Sequence, residues 1–266
     1  MAEKKYALIT GGSSGLGFAL ALNLAGKGFV PILIARRKDK LDEAVAEIQK
    51  AGFEAHGFKG DITSQKDLAD IADAVKKQFG KLDFLALNAG VVTVSLLSDY
   101  TDYNKMKSDI DIDLWGTILS ARIFLPLLVK GSRILMISSA FGLIGAAGYS
   151  TYCAAKAGII NFAESLRREL LCKGITVHVA CPADIDTPQY AEEKRTSPEW
   201  MTKGVSARQS LLPPKVAAEK ILAQCKGNKF LCTINPEISL LRVLGKILPH
   251  NIMAGILDSS LPRPKN

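Results

Sequence analysis

Two periodicities alternate along this chain. Short strand-like runs, "YALIT", "PILIA", "EAHGFKGDI", "DFLALNA", "RILMISS" and "VHVACP", are bounded by glycine, proline or polar residues and predict strands. Between them, "GLGFALALNLAGKG", "KLDEAVAEIQKAG", "QKDLADIADAVKKQFG" and "TYCAAKAGIINFAESLRRELLCKG" repeat their apolar positions every three or four residues, which predicts helices. Several of these end at glycine, the residue that most easily takes the left-handed turn after a helix. Strands that are apolar on both faces need cover on both faces. The alternation therefore predicts a doubly wound, Rossmann-like α/β fold, a parallel sheet with helices on either side.

The pattern runs to about Pro182 with no composition break, linker or repeat, so one domain over 1–266 is expected. The last third differs. "DIDTPQYAEEKRTSPEWMTKGVSARQSLLPP" is polar with four prolines and reads as a mobile substrate loop over about 184–212. "PPKVAAEKILAQCKG" reads as a helix entered at its prolines. An apolar extension follows over about 236–266. Within it Leu240, Val243, Leu244 and Ile247 fall on one helical face, and Arg242 and Lys246 are spaced to share another.

Composition narrows the class. The chain has 266 residues, 48% hydrophobic and 23% charged, which suits a globular fold with a sizeable core. Its five cysteines are an odd number without a C-x-x-C pair, which argues against a disulfide framework or a zinc site and for a reducing, cytoplasmic setting. "MAEKKYALIT" passes from charged residues straight into a strand, unlike a secretory signal, so a secreted protein is not expected. No run reaches the ~18 apolar residues of a membrane span. A net charge of +8 suits an anionic partner, a phosphorylated cofactor or an acidic membrane surface. The basic residues are scattered rather than clustered, which argues against nucleic acid.

The joint between the first strand and the first helix carries "TGGSSGLG", spaced T-G-x-x-x-G-x-G. In a doubly wound sheet ligands bind outside the carboxyl ends of the strands. A tight turn there aims free N–H groups outward, and the helix N-terminus adds positive charge, so the turn suits a pyrophosphate. Gly11 supplies the special turn dihedrals, Gly15 room for the phosphate and Gly17 close helix–sheet contact, while Ser13 and Ser14 offer hydroxyls. This spacing, with Leu16 inside it, resembles the signature of the short-chain dehydrogenase/reductase family. The resemblance covers most of the chain. After the second strand, where an acidic residue would bind the 2′-hydroxyl of NAD, stand Arg36 and Arg37, which suit a 2′-phosphate and point to NADPH/NADP. Lys40 would add charge from the next helix. Asp61 and Ile62 match the family's adenine-contacting pair. Asn88, Ala89 and Gly90 match its turn after strand four.

For chemistry, "SSAFGLIGAAGYSTYCAAK" contains Ser139, Tyr152 and Lys156. Tyr152 and Lys156 are four apart on a predicted helix and share a face. A phenol titrates near ~10. A neighbouring ammonium favours phenolate, so Lys156 is expected to draw Tyr152 down and poise it as acid or base. Ser139, at the end of its strand, would hold the substrate carbonyl. Strand alternation lets only one of Ser138 and Ser139 face the site, and the family spacing selects Ser139. Tyr149 is a rival tyrosine whose fourth neighbour is Cys153, so it lacks the ammonium. Cys153 and Cys181 read as packing residues. Resemblance gives Lys156 a second role, holding the nicotinamide ribose. The family's asparagine in the helix reading "DIDLWGT", which helps hold a water relay to the lysine partly through its backbone, is here Asp113, whose carboxylate, if ionised, would further stabilise Lys156. After Pro182, Ala183 replaces the family's glycine, and Ile185 and Thr187 are expected at the nicotinamide carboxamide.

The stretch Pro182–Glu193, P-x-D-x-D-T-P-x-Y-A-E-E, with "KRTSPE", "PPKVAAEKI" and "GNKF", resembles the 3-ketodihydrosphingosine (3-dehydrosphinganine) reductase branch. That branch implies reduction of a long-chain sphingoid ketone. A steroid or 3-oxoacyl thioester is the alternative carbonyl substrate. A non-catalytic NADPH-binding sensor is the reading from another class, and the intact Ser139, Tyr152 and Lys156 argue against it. The resemblance also implies a homo-oligomer, a dimer or tetramer. The C-terminal apolar face is expected to line an acyl-chain tunnel, lie peripherally on a membrane surface, or pack.

Overall fold

The computed structural model describes residues 3–198 and 211–260. Seven parallel strands form the sheet in the order β3-β2-β1-β4-β5-β6-β7. They are β1 (Lys5–Thr10), β2 (Phe29–Ala35), β3 (His56–Lys59), β4 (Leu82–Leu87), β5 (Leu128–Ile137), β6 (Thr176–Ala180) and β7 (Leu231–Cys232). Strand order reverses between β1 and β4, which opens a crevice at their carboxyl ends.

Alternation along each strand divides the core into two layers. Ile9, Leu33 and Leu135 face α1 (Gly15–Ala25) and α2 (Lys38–Lys50), with Leu20, Leu24 and Ile48 packed against them. Leu8, Ile32 and Ile134 face the other way, onto α3 (Gln65–Phe79) and α6 (Ser150–Leu170), where Leu68, Ile71, Ile159 and Leu166 close the layer. Each such side chain contributes about 1.5–3 kcal/mol when fully buried, so the expected two-sided cover is also the main source of stability.

Four differences from the sequence reading have local causes. β2 begins at Phe29, ahead of Pro31, and Pro31 precedes Ile32, the first residue that β3 pairs, so its missing N–H costs no bond to β3. β3 keeps only four of the nine residues expected of it, as befits an edge strand. β7, two residues long, is too short for any periodicity to announce. The fourth difference is the polar stretch read as a mobile loop. Its segment Pro188–Thr196 is instead helix α7, because Thr187 caps it by accepting from the Tyr190 N–H and Pro188 suits the first turn. Residues 199–210 of that stretch lie outside the described residues. Ile185 and Leu212 on either side of them pair as a short bridge.

Between β4 and β5 the chain runs through α4 (Tyr103–Ser108), a π-helical turn (Asp109–Trp115) and α5 (Gly116–Phe124). After α8 (Pro214–Gln224) come α9 (Pro236–Ile247) and α10 (His250–Ser260); residues 261–266 lie outside the described residues. No helix among the described residues is long and apolar enough to cross a membrane.

Candidate active site

A cleft of about 820 Å³ lies at the carboxyl ends of the strands. One wall is the β1–α1 turn. Gly11 has φ +65°, a conformation side chains resist, and its N–H reaches the Ile34 carbonyl at 2.8 Å. Gly17 is needed for a different reason: a Cβ there would stand 2.2 Å from the Gly11 oxygen and 2.5 Å from Asn88 Nδ2. Gly11, Ser13, Ser14, Gly15 and Leu16 line the cleft, and Gly17 packs behind them. Ser14 precedes α1 without making a side-chain cap, so the first N–H groups of that helix remain available to a ligand.

Asn88 holds this wall to β4. Its Nδ2 donates to the Thr10 carbonyl at 3.1 Å, while Thr10 Oγ1 accepts the N–H groups of Asn88 and Ala89. Ala89, Gly90, Asp61 and Ile62 continue the lining. Asp61 is held by Thr63, whose N–H and hydroxyl both donate to its Oδ1. Arg36 and Arg37 stand exposed at the end of β2, on the cleft, and pair with no carboxylate among the described residues. Lys40 stands outside the cleft lining, on the first turn of α2, with its ammonium 2.7 Å from the exposed Glu43 carboxylate. A turn of free N–H groups beside two uncommitted guanidinium groups fits a dinucleotide phosphate chain with a further phosphate on its adenosine end.

The chemical corner lies across the cleft. Ser138 and Ser139 follow the end of β5 rather than sitting within it. Ser138 is buried and donates to the Lys156 backbone carbonyl at 2.8 Å. Ser139 lies within hydrogen-bonding reach of Tyr152. Tyr152 and Lys156 share a face of α6, with Lys156 Nζ 5.3 Å from the centroid of the Tyr152 ring. Lys156 is 4% exposed and Asp113 0%, and Nζ meets Asp113 Oδ2 at 2.9 Å. Burial pushes the Asp113 carboxyl up to about 6 even though the ammonium favours its charge.

Tyr152 corrects the expectation of a lowered phenol. It opens onto the cleft, but the protein packed around it strips water from the phenolate form, and the negative charge of Asp113 adds to that effect. Its pKa stands well above the ordinary value. Lys156 is paired with Asp113, and the cost of burial outweighs its pull on the phenolate.

Asp109 was not legible as a site residue. The π-helical turn carries Asp109 and Asp113 toward the same loop: Asp113 Oδ1 accepts the Val91 N–H at 2.7 Å, and Asp109 Oδ1 accepts the Thr93 N–H at 3.0 Å. Asp109 Oδ2 also takes the hydroxyls of Thr93 and Thr151, the latter next to Tyr152. The "DIDID" spacing was the available signal. Two buried carboxylates thus tie the loop after β4 to α6.

The segment after β6 closes the cleft. Pro182, Ile185 and Thr187 line it, and a Cβ on Gly15 would stand 3.2 Å from Thr187 Cγ2. Asn235 fixes the turn where Ala183 stands, its Oδ1 accepting the Ala183 N–H at 3.1 Å. Tyr149 pairs with Glu193 of α7 through its hydroxyl at 2.6 Å, a contact across 44 positions that no local pattern announces. The acyl-tunnel expectation is also corrected. Leu240, Val243 and Ile247 are exposed on α9 and, like Leu244, do not line the cleft. Of the cysteines, Cys181 is fully buried and Cys153 partly so. No group of three His, Cys, Asp or Glu able to hold a metal ion occurs among the described residues.

This geometry has counterparts. The short chain dehydrogenase family model matches residues 5–198. An 11-beta-hydroxysteroid dehydrogenase-like 2 protein of Arabidopsis thaliana is 37% identical over 71% of this chain, and the match spans 63% of that protein's length. Epidermal retinol dehydrogenase 2 of Mus musculus is 32% identical over 94% of the chain and 79% of its own. A short chain dehydrogenase from Burkholderia cenocepacia, solved in complex with NADP, is 27% identical with a TM-score of 0.76, covering 88% of this chain and 98% of that one. The chain belongs to the short-chain dehydrogenase family of oxidoreductases.

Proposed function

We propose that this protein is an NADPH-dependent reductase of a lipid-like ketone, 3-ketodihydrosphingosine being the substrate that the Pro182–Glu193 segment favours. The observation that carries the reductase reading is the buried Lys156–Asp113 pair set against the ring of a protonated Tyr152 inside the cleft. Arg36 and Arg37 support NADPH over NADH, since a guanidinium pair recognises phosphate where a carboxylate would recognise a hydroxyl. When bound, the reduced nicotinamide supplies a hydride to the carbonyl carbon.

The chain's own residues do the rest. Ser139 donates a hydrogen bond to the carbonyl oxygen. Tyr152 gives that oxygen its proton, which a phenol holds at neutral pH. Lys156 stabilises the phenolate left behind, and Asp113 fixes the ammonium in place. Phe141, Ile185 and Tyr190 give the substrate end an apolar lining suited to a lipid.

A steroid or retinoid substrate is the second reading, favoured by the names of the relatives that match over most of this chain. NADPH oxidation across a panel of ketones separates the two. The sphingoid ketone is expected to be turned over fastest, and Tyr152→Phe to lose about 10²–10⁴-fold in kcat. A steroid ketone turned over while the sphingoid ketone is inert would defeat the substrate reading and leave the reductase reading in place.

A further inference from the structure

The two ends of the cleft differ in charge. The cofactor end presents Arg36 and Arg37. At the substrate end the lining carries Glu193, and Lys156, the lysine that reaches the cleft among the described residues, is already held by Asp113. Neighbouring Glu192 pairs with Arg195 on its own helix. Glu193 pairs with no cation among the described residues and instead accepts the Tyr149 hydroxyl at 2.6 Å.

That hydrogen bond sets where the carboxylate sits. Tyr149 is 9% exposed, its ring tilted against Phe141 at 4.7 Å and Tyr152 at 6.3 Å, centroid to centroid. Glu193 is therefore anchored one aromatic ring from the proton donor. Its charge is felt there, being among those that hold the Tyr152 proton in place. A carboxylate has about four acceptor directions, of which Tyr149 uses one. The adjacent aromatic faces also attract cations.

We propose that Glu193 is a specificity-determining residue that holds the primary amine of the amino ketone next to the reacting carbonyl. The inference rests on that ketone-reductase reading and assigns the residue that would recognise the amine of its substrate. Burial and the nearby Asp184 carboxylate push Glu193 up to about 7, a state that an incoming ammonium reverses by supplying the missing counter-charge. Neither a steroid nor a retinoid ketone carries such a group, so Glu193 discriminates among lipids that the apolar lining alone would admit.

Calorimetry on the protein saturated with NADP⁺ tests this without turnover. The probes are a long-chain 2-amino alcohol and the same alcohol lacking the amine. The amino alcohol is expected to bind about 10- to 100-fold more tightly, as a hydrogen bond to a charged group implies. Glu193→Gln is expected to abolish that gap. Tyr149→Phe, which removes the same hydrogen bond but keeps the charge, is expected to narrow the gap without abolishing it, which separates charge recognition from placement of the carboxylate. Equal binding of the two alcohols to the wild type, or a gap that survives Glu193→Gln, overturns the proposal. NADPH oxidation with the matching ketones is read separately: an intact binding gap without turnover strikes the reductase reading alone.

Discussion

Asp113 gives Lys156 a charge where the family's usual amide offers only a dipole. A buried ammonium is costly without a partner, so this single substitution ties the catalytic lysine to the ionisation of its neighbour. The Asp113 carboxyl sits at about 6. Above that pH it is charged and holds Lys156; below it the proton removes the pair. Turnover is expected to fall as pH drops through about 6, and Asp113→Asn to show a pH–rate profile without that inflection. Arg36 acts at the other end of the cleft. Arg36→Ala is expected to raise the KM for NADPH about 10- to 100-fold, the worth of a charge-assisted contact, while leaving NADH nearly unchanged. Equal losses with both cofactors would contradict a 2′-phosphate contact.

At the scale of elements, α9 shows two faces on one helix. Ile238 is 5% exposed, whereas Ile247 is 72% exposed. Ile238→Ala is expected to cost about 2–5 kcal/mol in denaturant unfolding, while Ile247→Gln stays within about 0.5 kcal/mol. The periodicity of this segment was legible in sequence, but which of its residues met the protein was not, because that depends on where the helix docks. The same divide separates what could be read elsewhere. The glycine turn and the Tyr152/Lys156 spacing are local patterns and survive translation into structure. The Tyr149–Glu193 bond, the two-residue β7 and the burial that raises the Tyr152 pKa arise from packing between distant segments, which leaves no periodic trace.

At the scale of the whole molecule, proton binding is spread over groups that oppose one another. His178 on β6 is fully buried, its Nδ1 donating to the Lys229 carbonyl at 2.6 Å, and burial lowers its pKa. The unfolded chain takes up a proton below about 6.5 that the folded one refuses. His178 therefore contributes a loss of stability as pH falls from there toward its own lower pKa, at most about 1.4 kcal/mol per pH unit. Asp113 and Glu193 work the other way, since their raised carboxyls bind protons more readily when folded. The His178 effect is expected in the difference between wild type and His178→Gln, measured as Tm from pH 7 to 5, with the gap narrowing as pH falls.

The π-helical turn at Asp109–Trp115 makes chain length itself a functional variable. A backbone bond there spans five residues, from the Gly116 N–H back to the Asp111 carbonyl, in place of the four of an ordinary helix. Excising one amino acid, Ile110 for example, would let ordinary winding resume without altering either aspartate. The two carboxylates would then rotate out of step with Val91, Thr93 and Lys156. A genetic lesion of three nucleotides that leaves the glycine turn, Ser139, Tyr152 and Lys156 untouched would dismantle the site.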